Sequence, residues 1–174
     1  MEFKHWYMSL IELIILVIIG FISLSGKPWY QFFYVIGIFV SWGVNIILKR
    51  WFEQPRPNTN MAKFKMQLKN KETMPTYEFG MPSGHAQYSG FILVYVLLVS
   101  QSLWTWVTVM FGAIWVCGQR VISNDHSILQ VAVGFCIGSI FGIFAYEFTR
   151  WFLKLKFPQI VLPKRWPFGS ILYF

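Results

Sequence analysis

The chain has 174 residues, of which 56% are hydrophobic, 20% are aromatic and only 13% are charged. A typical soluble domain carries about 25% charged residues. The composition therefore excludes an ordinary water-soluble globular protein and predicts a protein whose helices lie mainly in lipid. The formal net charge is +8. Because the basic residues fall in loops between apolar runs, they favour an anionic lipid or a phosphorylated partner over nucleic acid.

Five apolar runs are long enough to predict membrane-spanning helices. In chain order they cover residues 8–25, 29–48, 82–100, 103–118 and 128–152. The first run lies near the N-terminus, so a cleaved signal peptide is the alternative. Only Lys4 precedes the run as a basic residue, and the run is long for a signal peptide, so we expect a retained helix. The predicted fold class is an all-α, polytopic membrane helix bundle of about five helices.

The segments outside these runs carry further signals. Lysines at positions 63, 65, 69 and 71 are interleaved with Phe64, Met66 and Leu68. This pattern predicts either an amphipathic segment on the membrane surface or a solvated charged loop. The last twenty residues contain Pro158, Pro163 and Pro167, and we expect them to return along the surface.

Two features predict how the helices pack. Only Gln101-Ser102 separates the third and fourth runs, which predicts a tight antiparallel hairpin. In the fifth run, Gly134, Gly138 and Gly142 are spaced four residues apart. Small residues at this spacing form a helix face that another helix can approach closely.

The order of the spans places three polar segments on one side of the membrane. With five crossings, the ends of spans two and four and the starts of spans three and five face the same compartment. Residues 49–56, 83–85 and 120–126 therefore lie on one side. Such a concentration of polar groups predicts a functional site there.

The residues Pro82-Ser83-Gly84-His85 are typical of a phosphate-binding helix start. Proline suits a first helical turn. Ser83 and Gly84 would offer free N–H groups at a helix N-terminus, which attracts anions. His85 adds a titratable imidazole to the same turn. The alternative is a loop that merely caps the helix.

Three cations and a second histidine complete the candidate site. Lys49, Arg56 and Arg120 suit the binding of a multiply charged phosphate. Each alone could be an interfacial anchor, and His126 alone could be an exposed loop residue. Together, two histidines predict phosphoryl transfer, in which one imidazole attacks phosphorus and the other protonates the leaving oxygen. The sequence contains no HExxH motif and no Cys/His ligand spacing, so we expect no metal and no cofactor.

These motifs resemble those of the type 2 phosphatidic acid phosphatase (PAP2) superfamily. Lys49 followed after six residues by Arg56-Pro57 resembles its first motif, residues 82–85 its second, and Arg120 with His126 the core of its third. The resemblance covers roughly residues 45 to 135 and implies a single membrane phosphatase domain, residues 1–174, with a vanadium-haloperoxidase-like core. It also implies that His126 is the nucleophile and His85 the general acid. The residues implied to hold phosphate are Lys49, Arg56, Ser83, Gly84 and Arg120.

The chain departs from the superfamily pattern at two positions of the third motif. Gln119 replaces the usual Ser before Arg120, and Gln130 replaces the usual Asp four residues after the nucleophile. Because residues i and i+4 share a helix face, we expect the Gln130 amide oxygen to accept the ring N–H of His126 and to assist catalysis.

We expect the helix after this motif to begin at an N-cap near its start. Asp125 is the preferred N-cap, with Ser123 and Asn124 as alternatives.

The dolichyldiphosphatase branch of the superfamily resembles this chain most closely in three places. These are His126 to Val131, Glu53 to Pro57, and Gly80-Met81 with Gln87. The resemblance implies hydrolysis of a dolichol-type polyprenyl diphosphate to the monophosphate, with the site facing the endoplasmic reticulum lumen. The alternative substrates are undecaprenyl diphosphate, phosphatidic acid and phosphatidylglycerol phosphate. A non-catalytic lipid-phosphate binding protein is the alternative of another class. The expected partners are a lipid diphosphate and the bilayer, not nucleic acid.

Overall fold

A computed structural model of the protein describes residues 2–70 and 72–159. Most of the tail expected to return along the surface lies outside the described residues. The described part contains six α-helices and a 3₁₀ turn at Thr76–Glu78. The helices are α1 (Glu2–Ile22), α2 (Pro28–Phe52), α3 (Met61–Lys69), α4 (Gly84–Val99), α5 (Leu103–Ile122) and α6 (Ile128–Lys156).

The helices confirm the prediction of an all-α membrane bundle. Each of the five apolar runs forms a helix. Helices α2, α5 and α6 are long and apolar enough to cross a membrane, and residues Leu10–Ile22 of α1 and the whole of α4 form shorter apolar helices. At 1.5 Å per residue, the 16 residues of α4 extend about 24 Å, less than the roughly 30 Å of a bilayer core.

Helix α4 lies at the centre of the bundle. Its residues Ala86, Phe91, Ile92 and Tyr95 are completely buried. The four helices around it expose large apolar side chains outwards, among them Ile18, Phe39, Phe111 and Phe144. A buried centre surrounded by an apolar outer surface is the arrangement expected of a bundle in lipid. Helix α4 is therefore shielded from lipid, and its polar N-terminus lies inside the protein.

The closest helix contact joins α4 to α6 through the predicted glycine face. A Cβ atom at Gly134 would lie 2.5 Å from the carbonyl oxygen of Ser83, and one at Gly142 would lie 3.0 Å from that of Phe91. A Cβ atom at Gly138 would overlap the carbonyl oxygen of Gln87. The predicted close approach is confirmed. Its consequence is that the N-termini of α4 and α6 lie against each other.

The segment between α2 and α4 contains a helix at residues 61–69, so the solvated-loop alternative is wrong there. The side chain of Asn60 caps α3 by accepting the N–H groups of Ala62 and Lys63 at 3.1 and 3.2 Å. Phe64 is buried against Met74 and Phe79, whereas the lysines of α3 are exposed. The contact with Phe79 joins α3 to the chain just before Gly80. The position of α3 on a membrane surface remains a prediction.

Replacing Gly138 by alanine should destabilise the bundle, because the added methyl group can be accommodated only if the backbones of α4 and α6 separate. We expect a loss of about 1–3 kcal/mol, the usual cost of overpacking, measured by thermal unfolding in detergent. The matched control is Gly43→Ala on α2, where a Cβ atom would meet nothing within 4 Å. If both variants unfold at the same temperature, the glycine contact does not limit stability.

Candidate active site

Backbone hydrogen bonds hold the three predicted motif segments together. The N–H of Gly80 donates to the carbonyl oxygen of Gln54 at 2.6 Å, and the N–H of Ser83 donates to that of Gln130 at 3.1 Å. An isolated β-bridge joins Pro55 to Phe79. The segments after α2, before α4 and at the start of α6 are therefore in direct contact, which agrees with the prediction that the polar segments lie on one side of the membrane.

The start of α4 differs from the prediction in two details. The helix begins at Gly84 with Ser83 as N-cap, so Pro82 precedes the first turn instead of lying within it. The N–H of Ser83 is not free, because it donates to Gln130. The Ser83 hydroxyl, however, is buried and has no hydrogen-bond partner among the described residues. Gly84 is the first helical residue, and an N–H group at that position has no intrahelical acceptor.

A buried polar network that the sequence analysis missed supports this turn. The Asn45 side chain donates to the Gln87 side-chain oxygen at 2.9 Å, and the Gln87 amide donates to the carbonyl oxygen of Ser41, also at 2.9 Å. Ser41, Asn45 and Lys49 recur every fourth residue and are all buried on α2. A polar stripe at this spacing in an apolar span was the available signal. Gln87 thus has a structural contact that joins α4 to α2.

The three predicted cations are partly or fully buried. The ammonium group of Lys49 donates to the carbonyl oxygen of Phe79. The guanidinium group of Arg120 pairs with Asp125 at 3.0 Å. The Nε atoms of Arg56 and Arg120 are buried and have no hydrogen-bond partner among the described residues. Buried donors of this kind are normally satisfied, so these two point to an anionic ligand.

His126 is a deeply buried titratable group of the site. It lies between α5 and α6, its side chain is buried, and its Nδ1 atom is 2.9 Å from the carbonyl oxygen of Gly80. Because a carbonyl oxygen only accepts, Nδ1 carries the proton and Nε2 of the neutral ring is left with its lone pair. Burial is the largest cause of a low pKa at His126; together with the positive charges of Arg56, Arg120 and Lys49, and with His85, it lowers that pKa to about 2.

The expected contact between Gln130 and His126 is not made. Helix α6 begins at Ile128 with Ser127 as N-cap, so His126 precedes the helix and does not share a helical face with Gln130. The same start shows that Asp125 is not the N-cap, and neither is Ser123 or Asn124. Asp125 instead accepts hydrogen bonds from Arg120 and from the Ser123 hydroxyl.

Gln130 connects the start of α6 to the segment after α2. Its side-chain oxygen accepts the N–H of Ser127 at 3.1 Å, which completes a capping box. Its amide nitrogen donates to the side-chain oxygen of Gln54 at 3.1 Å and to the carbonyl oxygen of Pro55 at 2.9 Å. Gln54 is a further site residue that the sequence analysis did not single out as a contact.

His85 is the second residue of α4 and is half-buried beside this cluster. Its charge acts on His126 and contributes to the low pKa of that ring. The structure therefore brings together all the predicted groups: His126, His85, Gln130, Lys49, Arg56, Ser83, Gly84 and Arg120.

Comparison with known proteins places this site in a family. The family model of the PAP2 superfamily matches residues 30–154. The chain belongs to the PAP2 superfamily. No solved structure matches the chain.

Three curated relatives illustrate its similarities. Dolichyldiphosphatase of Saccharomyces cerevisiae is 28% identical over 135 residues, which are 67% of this chain and 54% of the relative. Lipid phosphate phosphatase epsilon 1, chloroplastic, of Arabidopsis thaliana is 31% identical over 86% of this chain and 51% of the relative. Human dolichyldiphosphatase 1 is 27% identical over 88% of this chain and 66% of the relative. The chain thus spans about half the length of the first two of these relatives.

The low pKa of His126 predicts a ring that stays neutral in the folded protein at moderately acidic pH. Its ring ¹⁵N signals should not titrate between pH 8 and pH 5. These signals are assigned as the ones that are missing from the spectrum of His126→Gln. In the unfolded chain the pKa has its ordinary value of 6.5. Below that pH the unfolded state binds the extra proton, so stability should fall as pH falls, by up to about 1.4 kcal/mol per pH unit.

The variant His126→Gln lacks this proton site and should lose less stability between pH 7 and pH 5 than the wild type. Thermal unfolding in detergent measures the difference. A His126 ring that titrates with an ordinary midpoint would contradict the assigned burial.

Proposed function

We propose that the protein is an integral-membrane lipid phosphatase that hydrolyses a dolichol-type polyprenyl diphosphate to the monophosphate and inorganic phosphate. The observation that carries the proposal is the state of His126. Its neutral ring donates through Nδ1 to the carbonyl oxygen of Gly80, which leaves the Nε2 lone pair for attack. The positive charges of Lys49, Arg56 and Arg120 all act on this ring. A nucleophile beside an anion-binding group of cations is the arrangement that phosphoryl transfer requires.

The proposed reaction has two steps. In the first, Nε2 of His126 attacks the terminal phosphorus, and the bond from phosphorus to the bridging oxygen breaks. The electron pair leaves with the lipid monophosphate, whose oxygen takes a proton from His85. In the second step His85 accepts a proton from water, the water oxygen attacks phosphorus, and the P–N bond breaks. His126 regains its lone pair, and inorganic phosphate is released.

The remaining site residues are proposed to bind the transferred phosphoryl group. Arg56 and Arg120 each have a buried Nε donor that lacks a partner among the described residues, and the Ser83 hydroxyl is similarly placed. The N–H of Gly84 and the ammonium group of Lys49 add a helix-terminal donor and a compact charge. These donors would neutralise the charge that develops on the phosphoryl oxygens in the transition state.

The choice of lipid rests on the relatives and on residues near the site. The relatives from yeast and human are named dolichyldiphosphatase, and residues 53–57, 80–81 and 126–131 with Gln87 resemble that branch. The plant relative is named a lipid phosphate phosphatase, which keeps phosphatidic acid as the competing substrate. If the substrate is dolichyl diphosphate, we expect the protein to lie in the endoplasmic reticulum membrane with its site on the lumenal side.

Phosphate release from a panel of lipids tests the proposal. Dolichyl diphosphate should be hydrolysed faster than undecaprenyl diphosphate, phosphatidic acid and phosphatidylglycerol phosphate by the detergent-solubilised protein. His126→Ala should lower turnover by about 10⁴-fold or more, because the nucleophile is lost. Thermal unfolding of the variant controls for loss of the fold.

Two outcomes would change the conclusion. Faster hydrolysis of phosphatidic acid than of dolichyl diphosphate would replace the substrate but keep the chemistry. A lipid-phosphate binding protein predicts that wild type shows no turnover and that His126→Ala binds the lipid as the wild type does.

Turnover should persist in excess EDTA. The described residues contain no group of three or more His, Cys, Asp or Glu side chains that could hold a metal ion, and the cations of the site supply the charge that a metal would supply. We expect the rate in EDTA to equal the rate without it. Abolition by EDTA, with recovery on adding a divalent cation, would refute a metal-independent mechanism.

A further inference from the structure

The backbone of Gly80 lies between the proposed nucleophile and the segment after α2. Its carbonyl oxygen accepts Nδ1–H of His126 at 2.9 Å, and its N–H donates to the carbonyl oxygen of Gln54 at 2.6 Å. A Cβ atom at this position would lie 2.5 Å from Nε2 and 2.7 Å from Oε1 of Gln130. The position of the carbonyl oxygen on which His126 depends is thus set by Gln54 on one side and by Gln130 on the other.

The carboxamide of Gln130 is fully engaged in this arrangement. Its oxygen accepts from the N–H of Ser127, and its two N–H bonds are directed at the side-chain oxygen of Gln54 and the carbonyl oxygen of Pro55. An amide has two donors, so both are used. Gln130 therefore acts on His126 only through the chain segments that it holds in place.

We propose that Gln54 and Gln130 are positioning residues, which hold the Gly80 carbonyl oxygen where it fixes the tautomer of His126. We call the set Gln54, Gly80 and Gln130 the glutamine brace. This inference rests on the proposed function, because it assigns the orientation of the proposed nucleophile. In the superfamily pattern described above, a carboxylate stands at the position of Gln130; here a main-chain carbonyl oxygen takes over the contact with the ring.

A carbonyl oxygen and a carboxylate have different chemical consequences. Both accept the Nδ1 proton and so leave Nε2 free to attack. A carboxylate also stabilises the charged imidazolium, whereas the Gly80 carbonyl oxygen is neutral. With Arg56 and Arg120 acting on the same ring, His126 is held as a neutral nucleophile until phosphorus is attacked.

The glutamine brace also connects nucleophile orientation to phosphate binding. Gln54 and Pro55 directly precede Arg56, and both accept hydrogen bonds from Gln130. These bonds hold the segment that carries Arg56, and that segment in turn holds Gly80 through the Gly80 N–H bond to the carbonyl oxygen of Gln54. Loss of those bonds should misalign attack more than it weakens lipid binding.

The variant Gln130→Glu separates the two possible roles of Gln130. An ionised glutamate has no side-chain donor, so the variant would lose both hydrogen bonds to residues 54 and 55. Its carboxylate would instead be repelled by the two oxygens that accept those bonds in the wild type, the side-chain oxygen of Gln54 and the carbonyl oxygen of Pro55. The glutamine brace predicts that this variant loses activity. If residue 130 served instead as the direct acceptor for His126, a carboxylate there would maintain or raise activity.

The experiment compares Gln130→Glu, Gln54→Met and Gln130→Met with the wild type. Gln54→Met keeps the side-chain volume and the backbone carbonyl oxygen while removing the acceptor for Gln130. We expect kcat to fall about 10- to 100-fold, as for other groups that orient a reactive side chain, with KM changed less than about threefold. The double methionine variant should be little worse than Gln130→Met alone, since Gln130→Met already breaks the contact with Gln54. The matched control is Gln101→Met, because Gln101 is exposed between α4 and α5.

The ¹⁵N spectrum of the ligand-free protein gives a second readout that does not depend on turnover. The wild type and Gln101→Met should show His126 as the Nδ1–H tautomer. The variants Gln130→Glu, Gln54→Met and Gln130→Met should show a mixture of tautomers. A merely structural role would lower thermal stability and leave the tautomer unchanged.

Full activity and an unchanged tautomer in Gln130→Glu, or in Gln54→Met, would overturn the inference. If instead His126→Ala retains wild-type turnover, the proposed function fails. The ¹⁵N spectra of the Gln54 and Gln130 variants then still decide, through the tautomer of His126, whether these two residues orient the ring.

Discussion

The contact between α4 and α6 is the packing constraint on which the site depends. Glycine at positions 134, 138 and 142 lets the two backbones touch, so the N-terminus of α4 lies against the first turn of α6. The N–H of Ser83 then reaches the carbonyl oxygen of Gln130. Larger side chains would separate these helix ends, and the turn at Ser83-Gly84 would lose contact with the segment that follows His126.

Burial gives the site its chemical character. In water a histidine near neutral pH is partly protonated and is then a poor nucleophile. Here burial and three nearby cations keep His126 neutral, and the Gly80 carbonyl oxygen selects the tautomer. The same burial leaves the Nε donors of Arg56 and Arg120 without partners among the described residues. Arg56 and Arg120 would thus both bind an anion and keep the proposed nucleophile, His126, unprotonated.

The polar interior is tolerable in a membrane bundle because its hydrogen bonds are largely satisfied within the protein. Asn45, Gln87 and Ser41 are joined by hydrogen bonds next to the turn at the start of α4. Each would be costly in lipid alone. Here these side chains satisfy one another between α2 and the lipid-shielded helix α4, which removes that cost. Lys49 lies one helical turn beyond Asn45 on the same buried face of α2.

The sequence by itself determined the membrane class, the apolar runs, the glycine face and the group of residues that converge. These follow from composition, from a spacing of four and from the order of spans, which are all local properties or simple counts. The partner of Gln130 was decided only by the tertiary structure. Ser123, Asn124, Asp125 and Ser127 are all residue types that can cap a helix. Asp125 is engaged by Arg120, and α6 begins after Ser127. The N-cap is thus Ser127 and not the predicted Asp125, and this shift of two residues places His126 outside the helix. A main-chain carbonyl oxygen, which has no signature in a sequence, then becomes its partner.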